Sequence, residues 1–448
     1  MTPALFGTDG IRGRFGEPPL VEADVRRLGA ALGRKLTSRF GSRPTVLVGG
    51  DTRPSSPLLA RWLADGLARA GALPVDVGVL PTAALAHLAP LWPAAAAVVL
   101  SASHNPAEDN GIKLIRADGF KWARDQEQAL EDLLAEESEP PAAATGFASE
   151  HERAVTVYRR HLLAAAGGER PLAGLRLGLD LAHGAACGLA GVFAELGAAV
   201  TAWHDEPDGS RINRACGATH PEALGSRLAA GALDLGFAFD GDADRAILVD
   251  EHGTVRDGDA MLYLWACDLA SRGELEPSRI VATSMSNLGL ERALAAAGVG
   301  VERCDVGDRA VVDTLLAHGL RLGGEQSGHL VDLRRSTTGD GLLTAVVLTA
   351  LVARSGRPVS ALLAGFRRYP QLLVNVPVRS KPPLDSLPEV AAAARAVEAR
   401  LGADGRLVLR YSGTEPLARI MLEGPDEATI RAHADELAAA LRAAIGAG

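Results

Sequence analysis

Aromatic residues make up only 4% of these 448 residues, which counts against a stacking platform for single-stranded nucleic acid. Cysteine is equally sparse. Its four copies, Cys187, Cys216, Cys267 and Cys304, are far apart and form no Cys-x-x-Cys and no nearby Cys-x-x-His. That spacing excludes a zinc ribbon and a disulfide-dense scaffold, and it fits a reducing, cytoplasmic compartment. No basic block is present: Lys+Arg 46 against Asp+Glu 55 gives a formal charge of −9. The balance argues against a nucleic-acid partner and against an anionic membrane surface. Long apolar runs are missing too. A run such as residues 94–100 is far short of the ~20 residues that span a bilayer. The first residues lack the basic and apolar regions of a signal peptide.

What is there reads as globular. Hydrophobic residues are 47% and charged residues 23%, and Gly 50 and Pro 25 make turns plentiful. A length of 448 residues suggests about three domains at ~150 residues each. A weak internal repeat supports this: an apolar strand, a polar turn, a helix ending in glycine, then a second strand. The copies start at residues 45–51, 175–180 and 279–284, and their terminal glycines are Gly71, Gly197 and Gly298. Strands alternating with helices predict βαβ units and mostly parallel sheets. From about Tyr369 the pattern changes to strands at 372–378 and 406–411 and a helix at 428–444. The expected architecture is three related mixed or parallel-sheet α/β domains, then a smaller α+β domain, around a central cleft. Seams at the acidic Pro/Ala-rich 136–144, near Asp250 and at 367–370 divide it into residues 1–150, 151–250, 251–368 and 369–448.

The strongest chemical signal is Phe239-Asp240-Gly241-Asp242-Ala243-Asp244-Arg245, between two apolar strands. Carboxylates at i, i+2 and i+4 of an extended segment point the same way, and massed oxygen ligands suit Mg²⁺. An EF-hand is excluded, because Arg245 stands where its turn needs Gly. Val98-Val99-Leu100-Ser101-Ala102-Ser103-His104-Asn105-Pro106 brings two hydroxyls and an imidazole to a strand end, with Lys113 following. That pattern fits a nucleophile with proton carriers or a hydrogen-bonded turn. No Gly-x-Ser-x-Gly elbow argues for a hydrolase.

Three further segments are polar loops. Gly324-Glu325-Gln326-Ser327-Gly328-His329 alternates acceptors and donors in a way that suits sugar hydroxyls. Arg410-Tyr411-Ser412-Gly413-Thr414-Glu415-Pro416, with Arg419 beyond, has the small hydroxyls, glycine and paired Arg of a phosphate cradle. It lacks the Lys-Ser/Thr of a nucleotide P-loop. Phe6-Gly7-Thr8-Asp9-Gly10-Ile11-Arg12-Gly13 is either a frayed tail or a loop that brings Arg12 to an anion.

Taken in this order, the motifs resemble the α-D-phosphohexomutase superfamily over nearly the whole chain, from residue 6 to about residue 424. Residues 6–13 and 324–329, with Cys216-Gly217-Ala218-Thr219-His220-Pro221-Glu222, Met285-Ser286-Asn287-Leu288-Gly289-Leu290 and Val306-Gly307-Asp308-Arg309, are similar to the branch acting on amino-sugar phosphates. The resemblance implies an isomerase that interconverts glucosamine 6-phosphate and glucosamine 1-phosphate through a phosphoserine and a 1,6-bisphosphate. Ser103 matches the phosphorylated serine, which with Asp240, Asp242 and Asp244 would hold one Mg²⁺. His104, Lys113 and Arg12 match residues around the transferring phosphate, and His329 matches a general acid/base. Glu325 and Ser327 match the hydroxyl-reading loop, with Arg245 beside the substrate. Arg410, Ser412, Gly413, Thr414 and Arg419 match the distal phosphate clamp. The implied partners are small sugar phosphates, with a sugar bisphosphate as primer, and the chain is expected as a monomer or homodimer.

A phosphoserine and three carboxylates total about −5, and one Mg²⁺ leaves about −3, so cations must line such a site. Arg12, His104, Lys113 and Arg245 supply them. The sequence departs from the family pattern at Ala243, where glycine is usual and where a methyl group opposes a positive φ. It departs again at Ala310, where an aromatic is common. Rival readings are a glucose- or mannose-phosphate mutase, and a silent relative that senses sugar phosphates.

Overall fold

A computed structural model describes residues 5–7, 9–41, 43–135, 147–231, 233–412 and 415–447. The expected seam at 136–144 lies outside them. The described residues form four sheets in sequence order. The first contains β1 (Ile11–Arg14), β2 (Thr45–Gly50), β3 (Leu73–Val79), β4 (Ala96–Leu100), β5 (Asp109–Arg116) and β6 (Ala148–Ser149), ordered β1-β5-β4-β2-β3-β6. β2 is parallel to both β3 and β4, and β5 runs antiparallel to β4 and β1. Helices on both faces bury β4 throughout, which is why it reads as a continuous apolar run instead of an alternation.

The second sheet has β7 (Arg176–Asp180), β8 (Ala199–Trp203), β9 (Leu235–Phe239), β10 (Ala246–Asp250) and β11 (Val255–Arg256), ordered β11-β10-β9-β7-β8. The third has β12 (Arg279–Thr283), β13 (Gly300–Cys304), β14 (Leu322–Gly324) and β15 (Leu330–Asp332), ordered β13-β12-β14-β15. The fourth is fully antiparallel. Its strands β16 (Gln371–Pro377), β17 (Arg406–Tyr411) and β18 (Leu417–Glu423) lie in the order β16-β18-β17, with the helices Pro388–Leu401 and Glu427–Ile445 beside them. Three α/β sheets followed by a smaller α+β sheet is the expected class.

The internal repeat holds at its glycines. Gly71, Gly197 and Gly298 all have positive φ, the left-handed end of a helix that glycine adopts without steric cost. Its second copy differs from expectation: the helix is only Gly191–Glu195. The preceding stretch turns instead, with Ala182, His183 and Gly188 at positive φ.

Two compact units emerge. One holds residues 1–285 and 299–364, and with them the first three sheets. The other holds residues 286–298 and 365–448. The helix Leu288–Ala296 (third copy of the repeat) therefore belongs with the fourth sheet. Within that unit, Asn287 accepts from the Tyr369 amide at 2.9 Å and donates to its carbonyl at 3.0 Å. Buried Glu423 accepts from the Leu288 amide at 3.2 Å and pairs with Arg406. The unit has its own core, in which Val376, Ile420 and Leu422 pack with Ile430, Leu437 and Leu441. No single helix among the described residues is long and apolar enough to cross a membrane. The apolar helix Gly341–Ser355 is buried from Gly341 to Val352.

Candidate active site

β4 delivers Ser103 into a tight turn with φ at +54°, a left-handed conformation that an L-residue adopts at a cost of about 1–2 kcal/mol. The surroundings hold it there. The Ser103 amide donates to Ser101 Oγ at 2.8 Å, and Ser101 Oγ donates to Asp51 at 2.5 Å. Asp51 pairs with Arg53, and neither side chain has exposed surface. The Arg53 guanidinium donates to the carbonyls of Ser103 (2.9 Å), Asn105 (2.7 Å), Asp109 (2.8 Å) and Pro106. Asn213 Nδ2 donates to the Ser103 carbonyl as well, at 2.9 Å. The segment is a hydrogen-bonded turn that presents one hydroxyl.

That hydroxyl meets the acidic loop. Ser103 Oγ donates to Asp240 Oδ2 at 2.5 Å. The loop joins β9 to β10, and here the expectation of an extended segment fails. Residues 240–245 form a tight turn, with Ala243 at φ +53°, so the methyl group does not prevent the conformation that the family's glycine would take. The turn still gathers the carboxylates. Asp240, Asp242 and Asp244 each place an oxygen within 4.8 Å of the others. Asp242 Oδ1 and Asp244 Oδ1 are buried and have no hydrogen-bond partner. Buried, unpartnered carboxylate oxygens are what a hard cation satisfies, so the donor set fits a metal ion. Burial, then Asp244 and Asp242, push the Asp240 carboxyl well above the usual carboxylate range. Burial acts the same way on Asp242, but Lys113 overcomes it and brings that carboxyl below its ordinary value.

The cations are arranged against these carboxylates. Lys113 Nζ, fully buried, lies 2.8 Å from Asp242, 3.0 Å from Asp9 and 3.4 Å from Asp244. Burial alone would lower its pKa, yet the three carboxylates hold it well above normal. Arg12 pairs with Asp9 at 2.7 Å. His104 Nδ1 is 3.4 Å from Ser103 Oγ. Burial, then Arg245 and Arg12, lower its pKa and favour the neutral imidazole. Arg245 faces Asp244 at 3.9 Å. Lys121, which the sequence reading did not single out, bridges Asp9 and Asp308.

On the opposite flank His329 is nearly fully buried, and both of its ring nitrogens lack a hydrogen-bond partner. Its Nε2 lies 4.0 Å from Asp308. Gly339 makes room for the ring, since a Cβ there would lie 2.3 Å from His329 Nε2. Glu325 accepts from the Gly307 amide at 3.0 Å, and Ser327 Oγ is buried without a partner. The structure thus brings together Ser103, His104, Lys113, Arg12, the three aspartates, Arg245, Glu325, Ser327 and His329 in one unit.

The proposed phosphate clamp lies in the second unit. Arg410 and Arg419 are register partners on β17 and β18. Arg419 pairs with Glu415 at 2.7 Å, and Lys381 donates to the Ser412 carbonyl at 2.6 Å. Gly413 and Thr414 lie outside the described residues. Of the residues that sequence reasoning missed, Asp9 and Asp308 stood inside motifs already noticed. Arg53, Asn213 and Lys121 gave no local signal.

Four family models match in order: phosphoglucomutase/phosphomannomutase alpha/beta/alpha domains I, II and III at residues 3–141, 157–253 and 257–369, and the C-terminal domain at 373–440. Together they define the phosphoglucomutase/phosphomannomutase class. The phosphoglucosamine mutase of Anaeromyxobacter dehalogenans is 44% identical over 459 aligned residues, covering 100% of each chain. A phosphoglucomutase/phosphomannomutase family protein from Burkholderia thailandensis has a similar structure, with TM-score 0.80, 27% identity and coverage of 98% and 97%. The Aspergillus fumigatus N-acetylphosphoglucosamine mutase, solved in complex with GlcNAc-6P and magnesium, shares the fold at TM-score 0.65 and 19% identity, covering 98% and 96%. The chain belongs to the phosphoglucosamine mutase family of isomerases.

Proposed function

We propose that this chain interconverts glucosamine 6-phosphate and glucosamine 1-phosphate, with Ser103 carrying the transferable phosphate. The observation that carries the reading is the 2.5 Å hydrogen bond from Ser103 Oγ to Asp240, beside two buried carboxylate oxygens without partners. Asp240, Asp242 and Asp244, with the Ser103 phosphate, would hold one Mg²⁺. Bound there, it would offset charge on the phosphoryl oxygens during transfer.

Phospho-Ser103 donates its phosphoryl group to the sugar O1. The P–O bond to Ser103 breaks, a P–O bond to the sugar forms, and the 1,6-bisphosphate results. Ser103 Oγ takes a proton from His104, whose Nδ1 lies 3.4 Å away, and gives it back when it attacks in the second half-reaction. Ser103 then recovers a phosphate from O6, leaving the 1-phosphate. His329, with both ring nitrogens available, takes the proton of the attacking sugar hydroxyl and returns one in the second half-reaction. Lys113, Arg12, His104 and Arg245 orient the phosphoryl group. Glu325 and Ser327 hold sugar hydroxyls, and Ser327 Oγ is unpartnered and ready for that role. Arg410, Ser412, Gly413, Thr414 and Arg419 would grip the phosphate that is not reacting. A trace of sugar bisphosphate primes Ser103.

The test is ³¹P NMR with Mg²⁺ and primer on glucosamine, glucose and mannose 6-phosphates in parallel, with Ser103→Ala as control. A 1-phosphate signal that rises fastest from the amino sugar and disappears in the variant is the expected result. Preference for glucose or mannose phosphate would reassign the substrate. Binding without turnover of any of them would make the chain a sensor.

A further inference from the structure

Cys216 belongs to a motif that the proposed reaction leaves unused, and its surroundings are unusual. β7 ends at Asp180, β8 ends at Trp203 just before His204, and a loop returns to Cys216. The Asp180 carboxylate, an imidazole nitrogen of His204 and the Cys216 sulfur lie within 4.8 Å of one another. Asp180 Oδ1 accepts from His204 Nδ1 at 2.9 Å and from the Ala182 amide at 3.1 Å. Asp180 and Cys216 are almost wholly buried, whereas His204 is a quarter exposed. The Cys216 thiol is buried and faces a carboxylate and an imidazole.

From this arrangement we infer that Asp180, His204 and Cys216 form a second metal site, for a borderline-soft divalent ion such as Zn²⁺, distinct from the aspartate loop. The donor set decides the ion. Thiolate and imidazole ligands select zinc-like metals, whereas Mg²⁺ prefers oxygen donors alone. Three protein ligands leave one position of a tetrahedral ion for water. With bonds of about 2.0–2.3 Å, neighbouring ligands of such an ion stand roughly 3.3–3.7 Å apart, so the three groups need only small adjustments. Burial and the Asp180 charge push the free thiol up to about 12. Binding therefore releases the thiol proton to solvent, and the ion's two positive charges balance one carboxylate and one thiolate.

The backbone agrees. Ala182, His183, His204, Asn213 and Ala215 all take left-handed conformations without being glycine, a concentration of strain that marks a region held for a purpose. Ligands drawn from three separate segments leave no spacing signature, which is why a search for Cys-x-x-Cys passes over them. An ion here would also brace the loop carrying Asn213, whose amide holds the Ser103 carbonyl at 2.9 Å.

The test uses the full chain, stripped with a chelator and titrated with Co²⁺ in saturating Mg²⁺. The expected result is a thiolate-to-cobalt charge-transfer band that saturates at one equivalent and is missing in Cys216→Ala. His204→Gln, at a partly exposed position, should keep the fold by circular dichroism and weaken Co²⁺ binding at least about tenfold. The inference is overturned if no band forms in the wild-type chain, if the band persists in Cys216→Ala, or if folded His204→Gln binds Co²⁺ as tightly as wild type.

Discussion

Arg53 and Ser103 are fifty residues apart in sequence, and the buried guanidinium of the first holds the backbone carbonyl of the second at 2.9 Å. The same guanidinium serves three more carbonyls of the loop and neutralises Asp51. A lysine cannot reproduce this, because its ammonium lacks the planar fork. Arg53→Lys keeps a charge opposite Asp51 but leaves buried carbonyls without donors, so it should lower stability by about 1–3 kcal/mol for each group left unsatisfied. Mutase turnover should fall more than Mg²⁺ affinity. Urea unfolding and ³¹P assays check both, and a variant with normal turnover would remove Arg53 from the positioning of Ser103.

Ala243 sits at φ +53°. Glycine relieves a left-handed strain of about 1–2 kcal/mol and loses about 0.4–1 kcal/mol through its freer unfolded chain. Ala243→Gly should thus stabilise the protein by up to about 1.6 kcal/mol, visible as a higher urea midpoint with Mg²⁺ binding unchanged. A lower midpoint would show that the methyl group contributes packing that outweighs the strain.

Gly339 gives His329 its space. A Cβ would stand 2.3 Å from the ring nitrogen and 2.4 Å from its neighbouring carbon, so Gly339→Ala must displace the imidazole. Turnover should fall roughly a hundredfold, in the range typical of losing a general acid/base, while the aspartate loop keeps its metal affinity. Steady-state rates and Mg²⁺ titration separate the two effects.

Asp340 caps the helix Gly341–Ser355 through the Leu343 amide and accepts from Tyr158 at 2.8 Å. Burial raises its carboxyl to about 6 despite these hydrogen bonds. The folded chain therefore holds this proton more tightly than the unfolded chain, whose aspartates titrate near 3.9. Stability should decline as pH rises from about 4 to about 6, by about 3 kcal/mol for two pK units at 1.36 kcal/mol each. Asp340→Asn keeps a good cap and should flatten that window, with the variant at least as stable as wild type at neutral pH. Chemical denaturation at several pH values tests the sign.

The acidic loop is legible in the sequence because its three carboxylates are nearly contiguous. A tight turn gathers them, not an extended strand, and a residue at positive φ makes the turn possible. The serine turn was readable as a place but not as a mechanism, since its support comes from Arg53 and Asn213, far away in sequence. Lys121 illustrates the same limit. A lysine between Phe120 and Trp122 acquires meaning only when the fold brings Asp9 and Asp308 to it. The second repeat keeps only a short helix, because Ala182, His183 and Gly188 turn the backbone where a periodic pattern would continue it.

The second compact unit is stitched from two stretches, residues 286–298 and 365–448. The polypeptide therefore passes between the units three times, at 285/286, 298/299 and 364/365. No single cut can release the C-terminal part intact. A fragment beginning at 365 would lack the segment whose Asn287 and Leu288 satisfy Tyr369 and Glu423. The shortened remainder would keep the apolar helix Leu288–Ala296 without the unit it belongs to. As inherited material, this unit is not a portable module: any recombination that moves it must exchange an internal insert together with the tail.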